Sequence, residues 1–228
     1  MSYQNGPRIV TNGLVLCLDA GNTKSYPGTG TAWTDLSGNG NNGTLTNGPT
    51  YSSANKGSIV FDGTNDYVLT NITKSTIPTT SDVTLCGWIY STNNAAYDEW
   101  INLSNSNTYA PNYHNISLGK DLDNKFYFNN YDGTEHRSLS NTSLLNSWIY
   151  AVGIRNSNTN YLYINGTIQA SPVAAGTPNI NNAATLKLGI VLSFWSKGNI
   201  SLVQIYNRAL SASEVLQNYN ATKGRYGL

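Results

Sequence analysis

Tyr161-Leu162-Tyr163-Ile164-Asn165-Gly166-Thr167-Ile168 is the stretch that decides the fold. Two runs of aromatic and β-branched residues flank an Asn-Gly pair. Both turn residues tolerate the positive φ that a two-residue type I′ reversal demands, so the segment reads as a β-hairpin. Just upstream, Trp148, Tyr150, Val152 and Ile154 alternate with their neighbours and share one face of a strand. Val83–Tyr90 is apolar on both faces, as in a central strand covered on both sides. Further strands are expected at Leu14–Leu18, Ser58–Phe61, Tyr67–Leu69, Trp100–Leu103, Ile116–Leu118, Phe126–Phe128, Thr167–Gln169, Leu186–Gly189 and Ile200–Tyr206.

One helix closes this series. Ser211-Ala212-Ser213-Glu214 has the spacing of a capping box, in which the Ser hydroxyl and the Glu carboxylate satisfy free backbone N–H groups reciprocally. Val215, Leu216 and Tyr219 then supply an apolar stripe. A dozen short strands with no helices between them exclude a parallel α/β sheet. They point to an all-β, antiparallel two-sheet sandwich with a short C-terminal helix. Residues 1–222 are read as one sandwich domain, and residues 223–228 as a C-terminal tail that is either a loose end or a docking arm.

Composition bounds the function. The chain of 228 residues carries 33 Asn and 21 Gly, and only 11% of it is charged, well under the usual quarter. The net charge is +1 with no basic cluster. That argues against nucleic acid, whose binding is driven largely by neutralised phosphates, and against an electrostatically held membrane partner. Apolar runs are strand-sized, too short to span a bilayer as helices. The N-terminal Met1-Ser2-Tyr3-Gln4-Asn5-Gly6-Pro7 lacks the basic and apolar regions of a secretory signal. Cys17 and Cys86 sit in apolar strands and are expected to be buried free thiols, in a protein made in a reducing cytoplasm.

Chemistry is sparse. Glycoside hydrolysis by retention needs two carboxyl groups close together. The three glutamates, Glu99, Glu135 and Glu214, are far apart in sequence, and Glu214 is accounted for as a cap. Asp98/Glu99 and Asp132/Glu135 remain a pair that the fold would have to bring together. His114 and His136 have no nucleophile motif beside them. Gly38-Asn39-Gly40-Asn41-Asn42-Gly43 fits the dinucleotide-binding spacing, but the following Thr46-Asn47-Gly48-Pro49 is a turn, so no helix N-terminus waits for a pyrophosphate. No cofactor is called for. Asp62, Asn65 and Asp66 offer oxygen ligands suited to Ca²⁺, or alternatively hydrogen bonds to their own turn. For sugar, an aromatic platform among amides is available from Tyr97, Trp100, Tyr109, Tyr113 and Trp195, most of them in the loop-rich tract 90–114.

Asp35-Leu36-Ser37-Gly38-Asn39-Gly40-Asn41-Asn42-Gly43-Thr44-Leu45 and Phe61-Asp62-Gly63-Thr64-Asn65-Asp66-Tyr67-Val68 resemble two segments of laminin G-like domains in the concanavalin A-like lectin/glucanase superfamily. Val83–Ile89, Tyr161–Gly166 and Gly198–Glu214 follow in that family's order, so the resemblance runs from about Gly13 to Tyr219. The opening Gly13-Leu14-Val15-Leu16-Cys17-Leu18-Asp19-Ala20-Gly21-Asn22, with the Asn-rich composition and the missing signal, is similar to copies in structural proteins of tailed bacteriophages. The resemblance implies a jelly-roll sandwich but no single activity. Where the pentraxin pattern has an acidic cluster after a late Leu-Gly, this chain has Ile190-Val191-Leu192-Ser193-Phe194-Trp195. The retaining glucanases' Glu-x-Asp-x-x-Glu strand has no counterpart.

The expected function is therefore a non-catalytic structural component of a virion surface, a decoration or tail-associated adhesion domain. Its expected partners are other virion proteins and host surface glycan, with homo-oligomerisation left open. A carbohydrate-binding module for host polysaccharide and a divergent glycoside hydrolase are the alternatives.

Overall fold

The computed structural model describes residues 7–77, 82–94, 96–104, 115–169, 172–177 and 184–228. Two antiparallel sheets stack face to face. The first runs Thr167–Ile168, Thr159–Ile164, Trp148–Asn156, Val83–Ser91, Lys197–Tyr206, Ser58–Asp62 and Thr50–Ser52, with Leu14–Asp19 and Val173–Ala174 paired beside this path. The second runs Glu135–Leu139, Phe126–Tyr131, Asn115–Lys120, Asp98–Ser104, Thr185–Leu188, Tyr67–Thr73, Gly43–Thr46 and Ala32–Trp33. A small ribbon of Ile190–Val191 with Phe194–Trp195 stands apart from both.

The sequence explains most of this. Asn165 and Gly166 sit at φ 51° and 78°, the hairpin turn that their side chains favour. Val83–Ser91 lies between Trp148–Asn156 and Lys197–Tyr206 and is buried along nearly its whole length. Every strand expected from the sequence is present. Short or polar strands such as Thr50–Ser52 and Glu135–Leu139 were not anticipated.

The main core lies between the sheets, with Leu16, Phe61, Leu85 and Ile89 of the first facing Trp100, Leu118, Phe126 and Phe128 of the second. A second apolar layer covers the outer face of the first sheet, where Trp88, Tyr150, Val152 and Ile154 meet Val10, Leu210 and Val215. The helix Ala212–Thr222 lies there. Its capping box is formed as read: the Ser211 hydroxyl accepts from the Glu214 N–H at 3.3 Å, and the Glu214 carboxylate accepts from the Ser211 N–H at 2.9 Å.

Polar groups under the helix are joined in a chain. The Tyr150 hydroxyl donates to Gln204 at 2.9 Å, the Tyr206 hydroxyl to the Val10 carbonyl at 2.9 Å, and the Asn218 amide to the Tyr206 hydroxyl at 3.0 Å. The Val10 N–H donates back to Asn218 at 2.8 Å, and the Trp88 indole to Thr222 at 2.7 Å. Cys17 and Cys86 flank Gln204 in register on the two neighbouring strands. Both are buried free thiols, and burial pushes each up to about 12.

The tail, whose role the sequence left open, docks on its own sandwich. Arg225 makes a bidentate pair with Asp19 at 2.6 and 2.7 Å, and Tyr226 stacks on Trp88 with ring centroids 3.9 Å apart.

Candidate functional site

The outer face of the second sheet carries an open cleft of ≈ 110 Å³. Alternation builds its floor. Phe126 and Phe128 point into the core, so Tyr127, Asn129 and Tyr131 of the same strand point outward. Glu99 joins them from the strand Asp98–Ser104, where an irregularity in register between Glu99 and Ile101 lets Glu99 face out while Trp100 and Ile101 both enter the core. Gly119 lies between Tyr127 and Glu99 in register. A Cβ there would come within 2.7 Å of the Tyr127 hydroxyl, so glycine is what lets the phenol cross its strand and reach the carboxylate.

One wall comes from Glu135 and Arg137, on the neighbouring strand. The other comes from the small ribbon, whose register pairs Val191 with Phe194 and Ile190 with Trp195. Val191, Leu192 and Phe194 line the cleft. Tyr97 closes one end, packing edge-on against Phe194 at 5.6 Å. The loop that carries Tyr97 is anchored by buried polar groups. Asp98 accepts from Ser91 at 2.6 Å and Asn93 at 2.9 Å, and the Lys120 ammonium donates to the Ala96 carbonyl at 2.6 Å.

The electrostatics are specific. Glu99 is only 5% exposed. Burial pushes its pKa up to about 7, while the hydrogen bond from Tyr127, the Arg137 charge and further side-chain hydrogen bonds from Ser117 and Asn102 pull it back. Oε1 accepts from the Tyr127 hydroxyl at 2.5 Å, and Oε2 has no hydrogen-bond partner of normal geometry among the described residues. Arg137 donates to Glu135 at 2.6 Å and lies over the Tyr127 ring at 4.4 Å and the Tyr97 ring at 5.4 Å. Among the described residues its buried Nε has no hydrogen-bond partner of normal geometry. A buried carboxylate oxygen with no donor costs free energy unless something supplies one. The cleft therefore presents aromatic rings, an amide and, at its floor, the nearly buried carboxyl of Glu99 to whatever enters.

The sequence candidates fare unevenly. Tyr97 is a cleft residue. Trp195 is on the ribbon but turns away, tilted against Tyr67 at 6.3 Å, and its neighbour Phe194 takes the cleft side. Trp100 requires a correction. It is 0% exposed and packs edge-on against Phe61, so it fills the core and presents no surface to a sugar. Tyr109, Tyr113 and His114 lie outside the described residues. Glu99 and Glu135, far apart in sequence, do line one cleft. Tyr127, Asn129, Tyr131 and Arg137 were missed; the outward register of a strand written Phe-Tyr-Phe-Asn-Asn-Tyr was the available signal.

The loop of Asp62, Asn65 and Asp66 uses its carboxylates on itself. Asp62 accepts from the Thr64 N–H at 2.7 Å, and Asp66 from the Asp62 N–H at 3.1 Å. The Asn65 carbonyl accepts from Asn47 at 3.0 Å. No group of three or more His, Cys, Asp or Glu arranged to hold a metal occurs among the described residues. The glycine-rich Asp35–Gly43 segment is likewise self-contained. Asp35 accepts from the N–H groups of Cys17, Ser37 and Asn41 at 2.8–3.0 Å, and a strand follows it.

Comparison with solved structures places this architecture among known sandwiches. The sialidase of Trypanosoma rangeli is 14% identical, with a TM-score of 0.68 over 93% of this chain and 33% of that one. The binding domain of Paraclostridial Mosquitocidal Protein 1 is 19% identical, with a TM-score of 0.67 over 92% of this chain and 52% of the other. The receptor binding domain of botulinum neurotoxin C/D mosaic serotype is 16% identical, with a TM-score of 0.70 over 92% and 51%. This chain thus spans from a third to a half of those proteins, and at these identities the likeness concerns the fold. No protein of curated function matches the sequence. A laminin G-type family model, described as the concanavalin A-like lectin/glucanases superfamily, matches residues 62–216, well over half of the chain. The chain belongs to the concanavalin A-like lectin/glucanases superfamily.

Proposed function

We propose that this domain is a non-catalytic carbohydrate-binding module that takes the end of a surface glycan into the cleft between Tyr97, Glu99, Asn129 and Phe194. The observation that carries this reading is the Glu99 carboxyl, only 5% exposed and with one oxygen short of a hydrogen bond of normal geometry among the described residues, at the bottom of an opening lined by aromatic rings. Sugar hydroxyls are donors of the right kind, and aromatic rings accept the apolar C–H faces of pyranose rings. The small volume, well below the ~300–1,000 Å³ of a drug-sized pocket, suits one terminal residue.

A binding role is favoured over hydrolysis because Glu135 is held by Arg137, which leaves Glu99 as the cleft acid not held in an ion pair among the described residues, where retaining hydrolysis needs two. The lectin-like fold and the binding-domain neighbours agree with it. The setting proposed is a virion surface, in a decoration or tail-associated adhesion protein. Support for that setting is the resemblance of the Gly13–Ala20 opening and its Asn-rich surroundings to phage structural proteins.

A glycan microarray probed with the wild-type domain and with Tyr97→Ala tests the reading. Binding to a defined set of glycans, lost in the variant, is expected. An array with no hits, hits indifferent to Tyr97→Ala, or release of reducing sugar from a bound glycan would overturn it.

A further inference from the structure

The cleft's charge and its unmade hydrogen bonds restrict the ligand further. Among the described residues, three charged side chains line it: Glu99, Glu135 and Arg137. The cation among them is spoken for. Its guanidinium is paired with Glu135 at 2.6 Å and lies over the rings of both Tyr127 and Tyr97. With both glutamates ionised the cleft carries a net charge of −1, and the carboxylate without a partner on one oxygen is the buried one.

Resting on the reading that the cleft binds glycans, we propose that its preferred ligand is an amine-bearing saccharide, whose ammonium docks on the Glu99 carboxylate, and that carboxylated sugars are excluded. An ammonium brings what the site lacks, a positive charge with several donors. A carboxylate would have to displace Glu135 from Arg137 and lie near Glu99 with no cation left to offset it. A lysine side chain shares the ammonium. The saccharide is favoured because Tyr97, Phe194, Tyr131 and Asn129 surround the acid with ring edges and an amide, a lining for a flat polar ring and not for a single alkyl stem.

The groups that face Glu99 are Tyr127 and, beyond it, Arg137, with Ser117 on the adjacent strand and Asn102 on its own. Among these, Glu99 is the one whose charge changes near neutral pH. Its ionised form is the one an ammonium needs.

Calorimetric titration of the intact domain with glucosamine, N-acetylglucosamine and glucuronic acid oligosaccharides, and with a lysine-containing peptide, tests the proposal. A hydrogen bond to a buried charge leads us to expect glucosamine to bind at least about tenfold more tightly than its N-acetylated form, and glucuronic acid not to bind. Glu99→Gln should bring the first two to parity, whatever affinity both then share. In wild type the amine preference should shrink as pH is lowered from about 7 to about 5, where the amine stays charged and the carboxylate takes up its proton, a readout that needs no variant to fold. Equal affinities in wild type, tightest binding of glucuronic acid, or a peptide that outcompetes glucosamine would overturn the amine-saccharide assignment alone. Failure of every saccharide would overturn the glycan reading beneath it.

Discussion

The two sheets have opposite outer faces. On the first, Trp88, Tyr150, Gln204 and Tyr206 are roofed by the C-terminal helix, the Ile9–Val10 segment and the tail, and nearly every polar atom there has a partner in the chain. On the second, the same alternation puts Glu99, Tyr127, Asn129 and Arg137 outside, the cleft is left open among the described residues, and Glu99 Oε2 and Arg137 Nε have no partner. Both faces bury polar groups. One ties most of its polar groups into hydrogen bonds, the Tyr226 hydroxyl excepted, and is part of the structural core; the other leaves an opening for a ligand. That difference, more than the shared fold, separates stability from recognition in this molecule.

The contrast is broken most directly at Trp88. Trp88→Ala should destabilise the domain by about 3–5 kcal/mol in denaturant unfolding, the usual loss for a buried Trp, while leaving ligand binding by the folded fraction unchanged. If binding fell with stability, the two faces would be coupled.

Glu99→Gln should act in the opposite sense. A carboxyl whose pKa is raised on folding costs nothing below its ordinary value, about 4.5, where folded and unfolded chains are both protonated. Stability is lost as pH rises from there through about 7, because the folded chain then buries a charge. The variant should remove that loss and be more stable than wild type by roughly 3 kcal/mol above neutral pH, yet no more stable at pH 4. Equal pH profiles for the two proteins would mean that Glu99 is better solvated than its position implies.

Arg225→Ala sharpens the account of the tail. Its pair with Asp19 is bidentate but part-exposed, with side-chain exposures of 24% and 9%, so a loss of only about 1 kcal/mol is expected. A larger loss would show that the pair also holds Tyr226 on Trp88. Last and smallest, Cys17 and Cys86 should both titrate as thiols in the denatured, unreduced protein and react in the native state only as fast as the domain opens.

How much of this was legible in the sequence follows from the same contrast. Apolar alternation, the Asn165-Gly166 turn and the Ser211–Glu214 cap are local, and each appeared where the residues placed it. The strand Glu135–Leu139 was overlooked because its outward residues are charged: it serves the cleft, and so lacks the apolar alternation that marks a strand. Site residues failed on parity. Trp100 and Glu99 are neighbours on one strand, and a register irregularity decides which of them faces out. Phe194 and Trp195 exchange roles by the same one-residue step. Nothing within a single stretch of sequence fixes those parities, because they depend on pairing with distant strands. The tail's anchor, Arg225 on Asp19, spans nearly the whole chain and was equally beyond a local reading.

The central claim is that recognition belongs to the open face. Amide chemical-shift mapping of the isotopically labelled domain, titrated with glucosamine and N-acetylglucosamine oligosaccharides, tests it most directly. Perturbations should cluster at Tyr97–Glu99, Tyr127–Tyr131, Glu135–Arg137 and Val191–Phe194, and spare Thr84–Trp88, Gln204–Tyr206 and the helix Ala212–Thr222. Shifts centred on the helix-covered face, or none at saturating sugar, would contradict the account.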